Sequence, residues 1–253
     1  MFVQFIWWAG VLLEALLLVR AFPGKLRSQY PIFYTYVTFI LLQSVVRQFV
    51  YRLDLQAYPY VYWISEFLGV AMGCAVVFEI YRVGLSEYAG TARMARKLLA
   101  FVFAMAVAKV FVDAWNDPRW RPVATTLELE RGLRVVEAFA IAGLVALFLF
   151  YSIPSGRNLR GILLGYGLFI ATSVIWQTVG ASSGPAFHHY WSYVNPISYA
   201  ATLVIWAAHL WSYQANPEAK ATVLLERQYQ RVAAATSRRL QDARAYLAKA
   251  ARP

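Results

Sequence analysis

The chain has 253 residues, of which 60% are hydrophobic, 17% aromatic and 15% charged. A soluble domain has roughly 45–50% apolar and about 25% charged residues, so this composition argues against a soluble globular protein. The net charge of +11 would favour nucleic-acid binding in a soluble protein. Here most Lys and Arg residues lie in short segments between apolar blocks or near the C-terminus, so we expect no nucleic-acid partner.

Apolar blocks long enough to cross about 30 Å of hydrocarbon recur along the chain and predict transmembrane helices. Turn-forming residues separate these blocks, as at Phe22-Pro23-Gly24. Hydropathy and helix-boundary residues place seven spans, at residues 2–22, 31–51, 58–81, 98–115, 132–153, 161–180 and 196–213. The sequence therefore predicts an all-α polytopic membrane protein, with a seven-transmembrane-helix bundle in residues 1–215 and a cytoplasmic helical tail in residues 216–253.

The start of the seventh span is inferred from Asn195 and Pro196. Asn is a preferred N-cap residue, and Pro is favourable in the first turn of a helix. The same pair recurs at Asn216 and Pro217, which we interpret as the start of the tail.

The distribution of Lys and Arg predicts the orientation, because cytoplasmic loops retain basic residues. Loops one, three and five and the tail hold 17 Lys and Arg residues, whereas loops two, four and six hold 5. Arg131 and Arg134 are counted in loop four. This asymmetry predicts an integral plasma (inner) membrane protein with the N-terminus outside and the C-terminus in the cytoplasm.

Polar side chains within the spans are the candidate site residues, because a charge at mid-bilayer costs about 2.5–3.5 kcal/mol on insertion scales. Counting along each helix at about 1.5 Å per residue places one set at a common depth in the outer half of the bundle. Spans two to seven each contribute at least one member. The set consists of Gln43, Arg47, Glu66, Lys109, Asp113, Glu137, Gln177 and Asn195.

Helical spacing indicates that this set faces inward. Residues four apart share a helix face, which applies to Gln43 with Arg47 and to Lys109 with Asp113. Glu66 lies on the glycine-bearing face of span three, which permits close helix packing. One interpretation is a polar ligand pocket, in which the excess of one acid favours a cationic guest or a shared proton. The alternative is an internal ion-pair network that orients the helices and binds nothing.

The tail is predicted to be a basic amphipathic helix, since residues 217–250 contain no internal Gly and favour helix. We expect its basic face to lie on anionic lipid headgroups, where each Lys or Arg near the surface contributes about 1 kcal/mol. Pairing of two copies of the tail, or contact with a cytoplasmic protein, is the alternative. The basic residues proposed to contact the membrane are Arg227, Arg231, Arg238, Arg239, Arg244 and Lys249.

These features favour a receptor-like or sensory membrane protein with a polar pocket in the outer half of the bundle. A small-solute or proton-coupled transporter and a non-catalytic subunit of a larger membrane complex are the alternatives. A receptor predicts a pocket closed on the cytoplasmic side, whereas a carrier predicts a continuous polar path that includes Glu14 and Glu79. The short loops contain no catalytic motif, so the sequence favours a protein without enzyme activity, and any such activity would have to lie within the membrane. We predict no cofactor or metal site.

Overall fold

The fold was analysed in a computed structural model, which describes residues 2–22, 25–116, 122–150, 153–179, 183–216, 230–232, 234–239 and 241. Helix accounts for 88% of the structure, and the described residues contain no strand. The prediction of an all-α protein is therefore confirmed. In the tail, the described residues are helical and exposed, including Arg231, Arg238 and Arg239, whereas Arg227, Arg244 and Lys249 lie outside the described residues.

Before the tail, the described residues form seven long helices and one short helix. They are α1 (Phe2–Ala21), α2 (Leu26–Gln29), α3 (Pro31–Leu53), α4 (Tyr58–Gly84), α5 (Ala89–Asn116), α6 (Pro122–Phe150), α7 (Arg157–Val179) and α8 (Pro185–His209). In this part of the chain, four segments are long and apolar enough to span a membrane: Gln4–Ala21, Tyr58–Gly84, Leu129–Phe150 and Arg157–Val179. This finding is consistent with an integral membrane protein.

Six of the long helices form a ring in the order α1, α3, α4, α6, α7 and α8, which closes where α8 packs against α1. Helix α5 packs on α4 and α6. We call the end at which α3 and α7 begin, and α4 and α8 finish, the lower end of the bundle. The opposite end is the upper end. Many large apolar side chains face outward from the ring, for example Phe5, Leu12 and Leu149, which is the expected surface where the solvent is lipid.

Helix α8 begins eleven residues earlier than the sequence predicts. Gly184 is the N-cap and Pro185 occupies the first turn, so the expected helix start at Asn195 and Pro196 is wrong. Pro196 instead lies inside the helix. The turn at Ser183-Gly184-Pro185 already supplies a favourable helix start, and an interior proline is tolerated in membrane helices because neighbouring groups satisfy the backbone.

Helix α6 also begins earlier, at Pro122 rather than at residue 132, so Arg131 and Arg134 are helical and do not lie in a loop. Arg134 is only 4% exposed. The assignment of Arg134 to a loop was wrong because its charge is neutralised within the helix. Glu130 and Glu137 lie one turn before and one turn after it and form ion pairs with it. Helices α5 and α7 also begin earlier than the predicted spans, at Ala89 and Arg157.

Two glycines bring α7 and α8 into close contact at the lower end. A methyl group at Gly161 would collide with the His209 side chain, and one at Gly165 would collide with the indole of Trp206. Trp206 is buried and donates a hydrogen bond to the carbonyl of Ile162, at 3.4 Å. The lower half of α8 is therefore fixed against α7.

Replacing Gly165 by Ala is expected to lower the melting temperature of the detergent-solubilised protein, because overpacking a core costs about 1–3 kcal/mol. Gly167→Ala is the matched control in the same helix. Its methyl group would lie 3.6 Å from Ile141 Cγ2, which is ordinary contact, and both changes gain the same helix propensity. Equal melting temperatures for the two variants would contradict the close packing.

Candidate functional site

Arg47 on α3 forms one group of polar contacts with α4. Its Nη2 lies 2.9 Å from Glu66 Oε2 and 2.9 Å from the carbonyl oxygen of Tyr62, and its Nε donates to Ser65 Oγ at 2.8 Å. The guanidinium also stacks 4.3 Å above the ring of Tyr62. Gln43 accepts hydrogen bonds from Arg47 when its amide oxygen faces the guanidinium. The cation is thus neutralised and its donors are occupied.

Arg134 on α6 forms a second group, which is more deeply buried. Its Nη1 lies 3.3 Å from Glu137 Oε2, and its Nε lies 3.9 Å from Glu130 Oε1. Tyr166 of α7 donates its hydroxyl to Glu137 Oε1 at 3.4 Å, and Gln177 of α7 donates to Glu130 Oε1 at 2.8 Å. Arg134 and Glu137 are 4% and 0% exposed, so each depends on the other for neutralisation.

The two groups meet between α4 and α6, where Glu66 and Glu130 line the same small gap. Together they form a polar band across α3, α4, α6 and α7. The band contains Gln43, Arg47, Glu66, Glu130, Arg134, Glu137, Tyr166 and Gln177. Three carboxylates face two guanidinium groups, so the band holds one acid more than it holds bases.

Five of the eight residues predicted from the sequence lie in this band: Gln43, Arg47, Glu66, Glu137 and Gln177. Lys109 is placed elsewhere, exposed on α5, and the side chain of Asp113 lies outside the described residues. Asn195 is exposed on α8 and lines a cleft with Arg47.

Glu130, Arg134 and Tyr166 belong to the band but were not predicted. The signal for Glu130 and Arg134 in the sequence is their spacing with Glu137, which places all three on one helix face. This signal was missed because Glu130 and Arg134 were assigned to a loop.

The cleft lined by Arg47 and Asn195 is the candidate functional site. It has a volume of about 370 Å³ and lies between α1, α3, α7 and α8, beside the polar band. Glu14 of α1 lines it and is 1% exposed. Tyr199 of α8 donates its hydroxyl to Glu14 Oε1, whereas Glu14 Oε2 has no hydrogen-bond partner among the described residues. Glu14, which lines the cleft, therefore carries a buried carboxylate oxygen with unused hydrogen-bonding capacity.

Phe169 connects the cleft to the polar band. Its ring lines the cleft, and the Arg134 guanidinium lies 4.9 Å from the ring centroid. A molecule that displaces Phe169 would therefore also disturb the Arg134 pair. Two further cavities, of about 430 and 480 Å³, flank α5, but their walls are almost entirely apolar. Such grooves suit lipid chains and offer little chemistry for specific recognition.

Below the cleft the bundle is closed. Glu79 of α4 accepts hydrogen bonds from the backbone N–H groups of Ile32 and Phe33, at 3.0 and 2.7 Å, and so caps the first turn of α3. Arg82 contributes an ion pair with Glu79 at 3.2 Å. Buried apolar side chains lie next to both acids: Leu17 is one turn below Glu14 on α1, and the ring of Phe33, whose backbone N–H contacts Glu79, packs against Trp206 at 4.9 Å. Glu79 therefore has a structural role at the lower end and does not line the cleft.

Comparisons with protein-family models, with curated proteins and with solved structures find no match for this chain. Its function is therefore inferred from the site itself.

Proposed function

We propose that this chain is a receptor-like or sensory integral membrane protein that binds a small ligand in the cleft between α1, α3, α7 and α8. The observation that carries the proposal is the Glu14 carboxylate, which is buried at the cleft with one oxygen unpartnered. Buried polar groups are nearly always hydrogen-bonded in proteins, so an exception at a cavity favours a ligand site.

The proposed topology has seven membrane spans, α1 and α3 to α8, with the N-terminus outside. The basic asymmetry of the loops supports this orientation. The upper end of the bundle then faces the extracytoplasmic side, and the cleft, which extends from Ile6 and Trp7 to Glu14 along α1, lies in the outer half. A ligand would enter from outside.

The closed lower half supports a receptor-like function over a carrier. A carrier requires a polar path that continues past Glu14, but Glu79 caps α3 and buried apolar side chains lie next to both acids. The contact between Phe169 and Arg134 supplies a means for an occupied cleft to act on the polar band. The tail, with its exposed Arg231, Arg238 and Arg239, is proposed to convey the change at an anionic lipid surface.

Single-cysteine labelling with an impermeant thiol reagent tests this proposal in a Cys74→Ala background. We expect Gln56→Cys, at the upper end, and Gly10→Cys, in the cleft, to be labelled in intact cells. Ser86→Cys, at the lower end, should be labelled only after permeabilisation. Leu17→Cys, one turn below Glu14 and 3% exposed in the parent chain, should resist labelling from either side because no path reaches it.

Two outcomes would contradict the proposal. Labelling of Ser86→Cys but not of Gln56→Cys in intact cells would reverse the orientation. Labelling of Gly10→Cys from outside together with Leu17→Cys from the cytoplasmic side would show alternating access, and the carrier interpretation would replace the receptor.

A further inference from the structure

We propose that the ligand of the cleft is an organic cation, either a protonated amine or a quaternary ammonium compound, with Glu14 as its counter-ion. This inference rests on the proposed function, because it requires the cleft to be open to a ligand.

Glu14 is a buried acid for which the described residues provide no ion pair. Tyr199 is its sole hydrogen-bond partner among them, and this neutral hydroxyl contacts Oε1 alone. A buried carboxylate without a cationic partner is strongly unfavourable. A cation that enters the cleft would supply both the missing charge and, in a protonated amine, a hydrogen bond to Oε2.

Arg47 also lines the cleft, but its charge is already neutralised. Its guanidinium pairs with Glu66 and donates to Ser65 and to the Tyr62 carbonyl, and its face stacks on the Tyr62 ring. An anionic ligand would therefore have to compete with four existing interactions of Arg47. It would also approach the carboxylate of Glu14, which has no cationic partner among the described residues, so the charges around the cleft disfavour an anion.

The aromatic lining gives a second reason for a cation. Trp7, Tyr199 and Phe169 contribute rings to the wall of the cleft. The negative faces of aromatic rings attract cations, with Trp and Tyr among the strongest. The ring of Phe169 already holds one cation, Arg134, on its face. A carboxylate combined with aromatic rings is the chemistry by which ammonium groups are recognised, and about 370 Å³ is at the small end of ligand pockets.

Gly10 offers a position from which to measure the charge of the cleft. It lies four residues before Glu14 on the same face of α1, and both residues line the cleft. A Cβ atom at Gly10 would lie 3.7 Å from Leu203 Cδ1 and 3.9 Å from Tyr199 Cε1, which is ordinary contact. Gly10→Cys should therefore fold and present its thiol to the cleft.

The test compares two methanethiosulfonate reagents on the full-length Cys74→Ala, Gly10→Cys protein in nanodiscs. One reagent carries a trimethylammonium group and the other a sulfonate. The reaction rate of the cationic reagent is divided by that of the sulfonate reagent at Gly10→Cys. This ratio is then divided by the same ratio at the exposed control Gln56→Cys, which removes intrinsic differences in reactivity between the reagents. We expect the cationic reagent to be favoured about tenfold or more, because a cleft lined by one sign of charge concentrates the opposite sign.

Adding Glu14→Gln should return the normalised ratio to about one, whereas Glu87→Gln, the same change of charge at an exposed position, should leave it unchanged. A normalised ratio of one or a preference for the sulfonate with Glu14 intact would overturn the cationic ligand and leave the ligand-binding cleft standing. A cationic preference that survives Glu14→Gln would exclude Glu14 as the counter-ion. Failure of both reagents to react at Gly10→Cys, with Gln56→Cys reacting normally, would instead refute the proposed function.

Discussion

Glu137→Gln is expected to reduce the free energy of unfolding by about 3–5 kcal/mol, the cost of removing one partner from a buried ion pair. Glu137 is fully buried, and the change leaves Arg134 without its close counter-ion. Glu130 is the more distant counter-ion, with its Oε1 3.9 Å from Arg134 Nε, and it compensates only in part. Arg134→Gln should be similarly destabilising, since it strands the carboxylate.

The double variant Arg134→Gln, Glu137→Gln should lose less stability than the two single changes together, because it leaves neither charge unpaired. Chemical denaturation in detergent measures the free energy of unfolding of each variant in this double-mutant cycle. The matched control is Arg47→Gln with Glu66→Gln, the same residue types with side chains that are 18% and 20% exposed. A smaller coupling is expected there because solvent screens the charges. Additive effects at Arg134 and Glu137 would exclude a coupled pair.

Asn158→Ala is expected to lower the free energy of unfolding by about 1–3 kcal/mol, because it releases the lower end of α8 from α7. Asn158 is fully buried, and its Nδ2 donates to the carbonyls of His209 and Ser212, both at 2.8 Å. Its Oδ1 accepts from the backbone N–H of Gln214. The three hydrogen bonds are part-buried, so water replaces them only in part when the side chain is removed.

Thermal denaturation and amide hydrogen exchange at Gln214 measure this effect. Ser155→Ala is the control at the same end of α7, because it removes only the exposed hydrogen bond from Arg160 Nε. Stability of Asn158→Ala equal to that of Ser155→Ala would show that the carbonyls of α8 find other partners.

The sequence predicts helix boundaries well where a turn interrupts a long apolar run. The predicted spans at 2–22 and 58–81 differ little from α1 (Phe2–Ala21) and α4 (Tyr58–Gly84). Prediction fails where polar residues or proline lie inside a helix. Arg134 was counted in a loop because it is charged, and Asn195 was interpreted as a helix start because Pro196 follows it.

The site could be predicted only in part, because depth along a helix can be counted from the sequence but neighbouring helices cannot be identified. Counting placed Gln43, Arg47 and Glu66 at one depth, and these side chains lie together because α3 and α4 follow one another and pack together. It also included Lys109, which lies on α5. Glu14 matched no other residue in depth, and its partner Tyr199 lies 185 residues away in the chain. Glu14 and Tyr199 meet because α8 packs against α1 and closes the ring of helices.

Pro196 gives α8 unequal stiffness along its length. A proline removes the hydrogen bond to the carbonyl four residues earlier and weakens the helix at that point. The segment below Pro196 is held by the packing of Trp206 on Gly165, and the segment above, which begins eleven residues away at Pro185, stacks Phe187 and Trp191 on Trp176 of α7. Pro196 also lines the cleft, so an occupant touches α8 where its backbone hydrogen bonding is interrupted. A bend of about 10° at this point would move the start of α8, roughly 16 Å away, by about 3 Å and shift the stack on Trp176 with it.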